Sequence, residues 1–220
     1  MSLPRTTIQS RFEPEIARFE ALVRSVEIDE WDLPSRCAGW TAGDVAKHVS
    51  GQFADVVAAR FDGLGTDEVT RREVEERAGL GPKEIADELA ELRPSLAALL
   101  AAFDDDGWAT PAPGGARGTL GQGVEALWSD MILHADDIRA AIGRSQPADI
   151  DVRAAVSHVA DILTLDEWEP TTIALDGIEE FPVSGGGTRI TGSPWPFLLA
   201  ATGRADCAPL GLDPAINIYK

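Results

Sequence analysis

Leu120-Gly121-Gln122-Gly123-Val124-Glu125-Ala126-Leu127-Trp128-Ser129-Asp130-Met131-Ile132-Leu133-His134-Ala135-Asp136-Asp137-Ile138 is the stretch that decides the fold of this chain. Leu120, Val124, Leu127, Met131 and Ile138 recur at steps of 4, 3, 4 and 7, the apolar stripe of an amphipathic helix. The place on that stripe between Met131 and Ile138 is taken by His134 instead of an aliphatic side chain. Asp130 stands one turn earlier on the same side, so a carboxylate and an imidazole sit next to each other at (i, i+4). The spacing predicts a helix over about Leu120 to Ile142, stopped at Gly143.

Working outward, the first 145 residues read as mostly helical. One helix is expected over about Ile8 to Val26, followed by a turn-rich loop from Trp31 to Trp40. Thr41 is a good N-cap, and Asp44 three residues on completes a capping box, so a second helix starts there and runs to about Phe61. His48 lies on it, bordering the apolar side formed by Val45, Val49, Phe53 and Val56. Residues 62–81 are charged and read as a loop with a short helix near Glu68 to Ala78. A third long helix, about Pro82 to Ala102, begins with Pro at its first position and carries a leucine stripe, with Pro94 as a candidate kink. These helices pack most naturally as a bundle.

Gly143-Arg144-Ser145-Gln146-Pro147 reads as a boundary, giving a helical domain over residues 1–147 and a small α+β domain over residues 148–220. In the second, helices are expected over Asp151 to Trp168 and Pro194 to Thr202, and strands over Thr171 to Ala174 and Thr188 to Thr191 around a glycine turn. Ser184-Gly185-Gly186-Gly187-Thr188 lacks the pattern of a phosphate loop. The fold class is therefore mainly α, a helical bundle followed by a small α+β C-terminal domain.

Composition narrows the function. The 37 acidic and 19 basic residues leave a formal charge of −18, and no Lys/Arg cluster offers a phosphate-binding face, so nucleic acid is not an expected partner. No apolar run approaches the roughly 20 residues of a membrane span, and the N-terminus has no secretory apolar stretch. A cytoplasmic protein without a membrane partner is expected, with Cys37 and Cys207 as free thiols. Oligomeric state is not encoded in any recognisable pattern.

Two imidazoles and a carboxylate on two helices, His48, Asp130 and His134, can supply three ligands of an open metal site. On spacing alone the rival reading is the commoner one: a core histidine hydrogen-bonded to its (i, i+4) aspartate. His158 has no partner at ligand spacing and reads as structural. Cys37 is near the site or simply packed, and Asp136 and Asp137 read as solvating the end of their helix.

Pro34-Ser35-Arg36-Cys37-Ala38-Gly39-Trp40-Thr41-x2-Asp44-Val45-x2-His48 resembles the signature of the mycothiol-dependent maleylpyruvate isomerase family, a DinB-like group. The block His134-Ala135-x-Asp137-Ile138-Arg139-x2-Ile142-Gly143-Arg144-x2-Pro147 is similar to that family too, as is Leu198 to Arg204. The resemblance implies a DinB-like four-helix bundle with a divalent metal, zinc above all, held at the positions of His48, Asp130 and His134. Asp130 departs from the family's Glu or His, and its shorter side chain draws a metal closer to the helix. The resemblance further implies mycothiol as thiol cosubstrate and a small electrophilic substrate. In that family the thiol adds to the double bond of maleylpyruvate, the bond rotates, and elimination yields fumarylpyruvate. The same chemistry supports S-transfer, with Arg204 as the candidate catalytic cation for a substrate carboxylate. The alternative is a non-catalytic small-molecule-binding or regulatory protein with a degenerate metal site.

Overall fold

The computed structural model describes residues 3–219 and is mainly α. Its backbone forms two compact units, one of Pro4–Asp149 and the other built from residue 150 onward. The first unit holds α1 (Arg5–Arg24), α2 (Ala42–Val57), α3 (Asp67–Glu75), α4 (Pro82–Ala101), the short α5 (Asp105–Trp108) and α6 (Leu120–Ala141). Each of the four long helices touches two others: α1 lies against α4 and α6, and α2 against the same pair. Going round the bundle the order is therefore α1, α4, α2, α6. Phe12, Phe53 and Trp128, from α1, α2 and α6, stack at its centre with ring centroids 5.7–5.9 Å from Phe12. All three are essentially closed to solvent.

Both helices that carry the candidate ligands begin with a reciprocal cap. The Thr41 hydroxyl accepts from the Asp44 N–H while the Asp44 carboxylate accepts from the Thr41 N–H, each at 3.1 Å. Thr119 and Gln122 do the same at the start of α6. These caps satisfy amides that would otherwise be orphaned and fix where each helix begins. Pro94 stays within a continuous α4, so the expected kink does not interrupt the helix.

The charged segment after α2 is more structured than its composition suggests. The Thr66 hydroxyl accepts from the Val69 N–H and caps α3, which then lies directly on α2. Gly51 makes that approach possible. A Cβ built there would sit 2.5 Å from the Glu73 Cβ, inside any tolerable contact. α3 thereby delivers Glu73 into the interior, with 1% of its surface exposed.

In the second unit α7 (Arg153–Leu165) packs against a three-stranded sheet and against α8 (Pro194–Ala201). The strands β1 (Thr171–Leu175), β2 (Phe181–Val183) and β3 (Thr188–Gly192) are ordered β2-β1-β3. β1 runs antiparallel to β2 and parallel to β3, and its Thr171, Ile173 and Leu175 face inward. The sequence reading contained no β2. That strand has only three residues with Pro182 in the middle, which erases the usual alternation and is tolerated because β2 is a sheet edge. Cys37 and Cys207 are both free.

Gly51→Ala is expected to destabilise the protein by about 1–3 kcal/mol through overpacking at the α2–α3 contact. Urea denaturation monitored by circular dichroism measures it, and an unchanged midpoint would show that α3 docks without needing the missing Cβ.

Candidate metal centre

His48 from α2 and Asp130 and His134 from α6 come together, with ligand atoms all within 4.8 Å of one another. The His48 Nε2 is 3.3 Å from one Asp130 oxygen and the His134 Nε2 is 3.3 Å from the other. The two imidazole rings stand perpendicular, their centroids 5.2 Å apart. Both histidines are buried, whereas the Asp130 side chain keeps 24% of its surface exposed.

The far nitrogen of each ring is tied back to a buried carboxylate. His48 Nδ1 lies 2.7 Å from Glu73 Oε2, and His134 Nδ1 lies 3.0 Å from Asp137 Oδ2. A carboxylate accepts, so each Nδ1 carries the hydrogen and donates it. A neutral ring held this way turns the bare lone pair of Nε2 toward Asp130, which would repel it. Something positive has to lie between them: a proton on each Nε2, or a cation shared by all three groups. Asp130 Oδ2 is shut off from solvent without a hydrogen-bond partner.

The donor set fits a divalent ion of the zinc type. Two imidazole nitrogens and a carboxylate oxygen bound tetrahedrally at about 2.0–2.2 Å would stand roughly 3.3–3.4 Å apart. Charge-assisted N–H···O bonds close to about 2.7–2.9 Å. The His48 and His134 nitrogens each stand 3.3 Å from a different Asp130 oxygen, long for such bonds. Three such ligands, one of them the partly exposed Asp130, would leave a coordination position to be filled from outside.

Without an ion the three groups hold one another in charged form. Burial pulls the His134 pKa down, but Asp130, then Asp137 and Cys37, outweigh it and leave the imidazole well above its usual value. Burial likewise pushes Asp130 up, and the two histidines overcome it and hold the carboxylate well below its usual range. His48 is raised as Asp130 and Glu73 prevail over burial and over His134.

The loop before α2 walls one side. The Trp40 ring packs on His48 with centroids 5.3 Å apart. Cys37 Sγ lies 3.8 Å from His134 Nδ1 and 3.4 Å from Asp137 Oδ2, so Cys37 borders the site. Its thiol donates to Asp137, which already accepts from His134, an arrangement that supports the carboxylate and does not activate the sulfur. Arg36 pairs with Asp136 and reaches Asp137 Oδ1 at 3.2 Å. Asp136 and Asp137 were expected to solvate a helix end, yet both are buried, turned inward against Arg36 from the loop before α2. Glu73 was not singled out by the sequence reading. Only the glycine at position 51 of α2 hinted that another element comes close there. Arg204 follows α8 in the second unit, its amide donating to the Leu199 carbonyl at 2.7 Å.

A raised imidazole pKa gives stability that is complete below the unfolded value, about 6.5, and is lost as pH climbs through the folded value. Chelator-treated protein is therefore expected to melt at progressively lower temperature as pH rises above about 6.5. His134→Gln should flatten that dependence, and an equally steep profile in the variant would remove His134 as its source.

The description "Mycothiol maleylpyruvate isomerase N-terminal domain" matches residues 12–139, which include every ligand candidate and Glu73. Two solved structures share the fold: a mycothiol-dependent maleylpyruvate isomerase, at 18% identity, and a histidine-to-alanine mutant of such an isomerase, at 17%. In both cases the TM-score is 0.61, with 92% of this chain and 90% of the other covered. No curated protein matches the sequence. Among the described residues no helix is long and apolar enough to cross a membrane. The chain belongs to the family defined by the mycothiol maleylpyruvate isomerase N-terminal domain.

Proposed function

We propose that the chain is a metal- and thiol-dependent enzyme that uses a low-molecular-weight thiol of the mycothiol type to isomerise, or to transfer sulfur to, a small electrophilic substrate. One observation carries the reading: the Nε2 atoms of His48 and His134 face the two Asp130 oxygens at 3.3 Å each, with both Nδ1 atoms tied back to carboxylates. A divalent ion such as zinc, bound there, supplies Lewis acidity that lowers the pKa of an incoming thiol and makes it a nucleophile at neutral pH.

The protein's own groups have distinct tasks in this reading. His48 and His134 present neutral nitrogen donors in fixed tautomers. Asp130 provides the anionic ligand from the partly exposed side, where the cosubstrate enters. Trp40 meets the His48 ring edge-on and borders the site on that side. A substrate with carboxylates needs a cation, and Arg204 is the proposed one.

Elemental analysis of the purified protein is expected to give about one divalent metal per chain, and His48→Ala and His134→Ala should each abolish it. With metal present, consumption of maleylpyruvate, or of a generic electrophile such as a bimane, should require added thiol. Metal absent after reconstitution would sink the proposal in favour of a non-catalytic binding protein, and thiol-independent hydrolysis would point to different chemistry.

Arg204→Ala is expected to raise KM for a carboxylate-bearing substrate roughly 10- to 100-fold with metal content unchanged, the loss of one charge-assisted hydrogen bond. Unchanged steady-state kinetics would discharge Arg204 from the site.

A further inference from the structure

The two histidines are oriented by residues outside the ligand set, and these deserve roles of their own. Glu73 arrives from α3 and Asp137 from the turn of α6 after His134, yet both do the same thing. Each places one carboxylate oxygen on an imidazole Nδ1, at 2.7 Å and 3.0 Å, and each is closed to solvent, at 1% and 0% exposure. An imidazole can bind a cation through either nitrogen, and a free ring would use both. Pinning Nδ1 leaves only Nε2.

The supports of the two carboxylates differ. Asp137 is held from the loop before α2, by Arg36 at 3.2 Å and by the Cys37 thiol at 3.4 Å. Glu73 has one oxygen on His48 and its other oxygen, Oε1, buried without a hydrogen-bond partner. A buried carboxylate with half its capacity unmet costs the fold free energy. Such a group is poorly explained as a stabilising residue. It is well explained by the contact it does make.

We propose that Glu73 and Asp137 are positioning residues, fixing His48 and His134 as Nε2 ligands, and that Gly51 belongs to the same device by letting α3 bring Glu73 within reach. This rests on the metal-binding reading above. It predicts that Glu73 can be replaced without harm to the fold but not without harm to the site.

The test uses the whole chain and Co2+ or Zn2+ alone. Glu73→Met keeps the volume and removes the acceptor, Glu73→Gln keeps an accepting oxygen, and Asp137→Ala removes the second support. Cobalt titration followed by d–d absorption is expected to show the Met and Ala variants binding about 10- to 100-fold more weakly than wild type. The Gln variant should fall between Met and wild type. Long-range 1H–15N NMR of the zinc-loaded protein should show Nε2 ligation of His48 in wild type and Gln, and mixed Nδ1 and Nε2 ligation in Met. Thermal melts of the metal-free proteins should show Glu73→Met still folding cooperatively, so that lost metal binding is not lost structure.

Wild-type affinity and spectrum in all three variants would overturn the positioning roles while leaving the metal reading intact. A Met variant that loses metal only because it unfolds, with Gln equally impaired, would reduce Glu73 to a structural residue. A wild-type protein that takes up no cobalt would sink the metal reading itself, and this inference with it.

Discussion

A carboxylate facing two imidazoles inside a helical bundle is the constraint on which the rest of the structure depends. Ionisable groups taken out of water must be paired or shared with a cation, since leaving one alone costs several kcal/mol. Asp130, His48 and His134 solve this only together, and only with Nδ1 of each ring satisfied elsewhere. The need for those Nδ1 partners explains features that look arbitrary in isolation. α3 must dock, so α2 needs a glycine at its contact. Asp137 must stay turned inward, and Arg36 is brought against it from the loop before α2.

The loop from Pro34 to Trp40 gains its meaning from the same requirement. Within five residues it sends Arg36 to Asp136 and Asp137, Cys37 toward His134, and Trp40 onto His48. A short, glycine-containing turn thus touches the surroundings of both histidines.

The long helices were legible from their 3.6-residue stripes, and α2 and α4 also from the punctuation at their starts. Thr41 with Asp44 gave the start of α2, and the stripe from Leu120 to Ile138 gave α6 and its ligand pair to within a residue or so. The same cap signature stands in Thr119-x2-Gln122 and fixes α6 equally well. What escaped was long-range. Nothing local in Glu73 separates it from the other acidic residues of a charged segment, since its burial comes from α2 and not from its own helix. Asp136 and Asp137 looked like solvated charge for the same reason: their partner, Arg36, is 100 residues away. β2 was lost to its shortness and its proline. Local periodicity reports which face of a helix is apolar, but it is silent on which distant chain segment covers a polar group.

The reciprocal caps on α2 and α6 also set how this architecture tolerates change in length. With the helix start pinned, each residue added between Thr41 and His48, or between Thr119 and Asp130, turns the ligand about 100° around the helix axis. One inserted residue would swing an imidazole out of the interior. The irregular stretches that precede each cap carry no such phase, so indels there leave the ligand azimuth untouched. Lineages descended from this fold should therefore hold the spacing downstream of the two threonines rigid and vary in length outside the Pro34–Trp40 support.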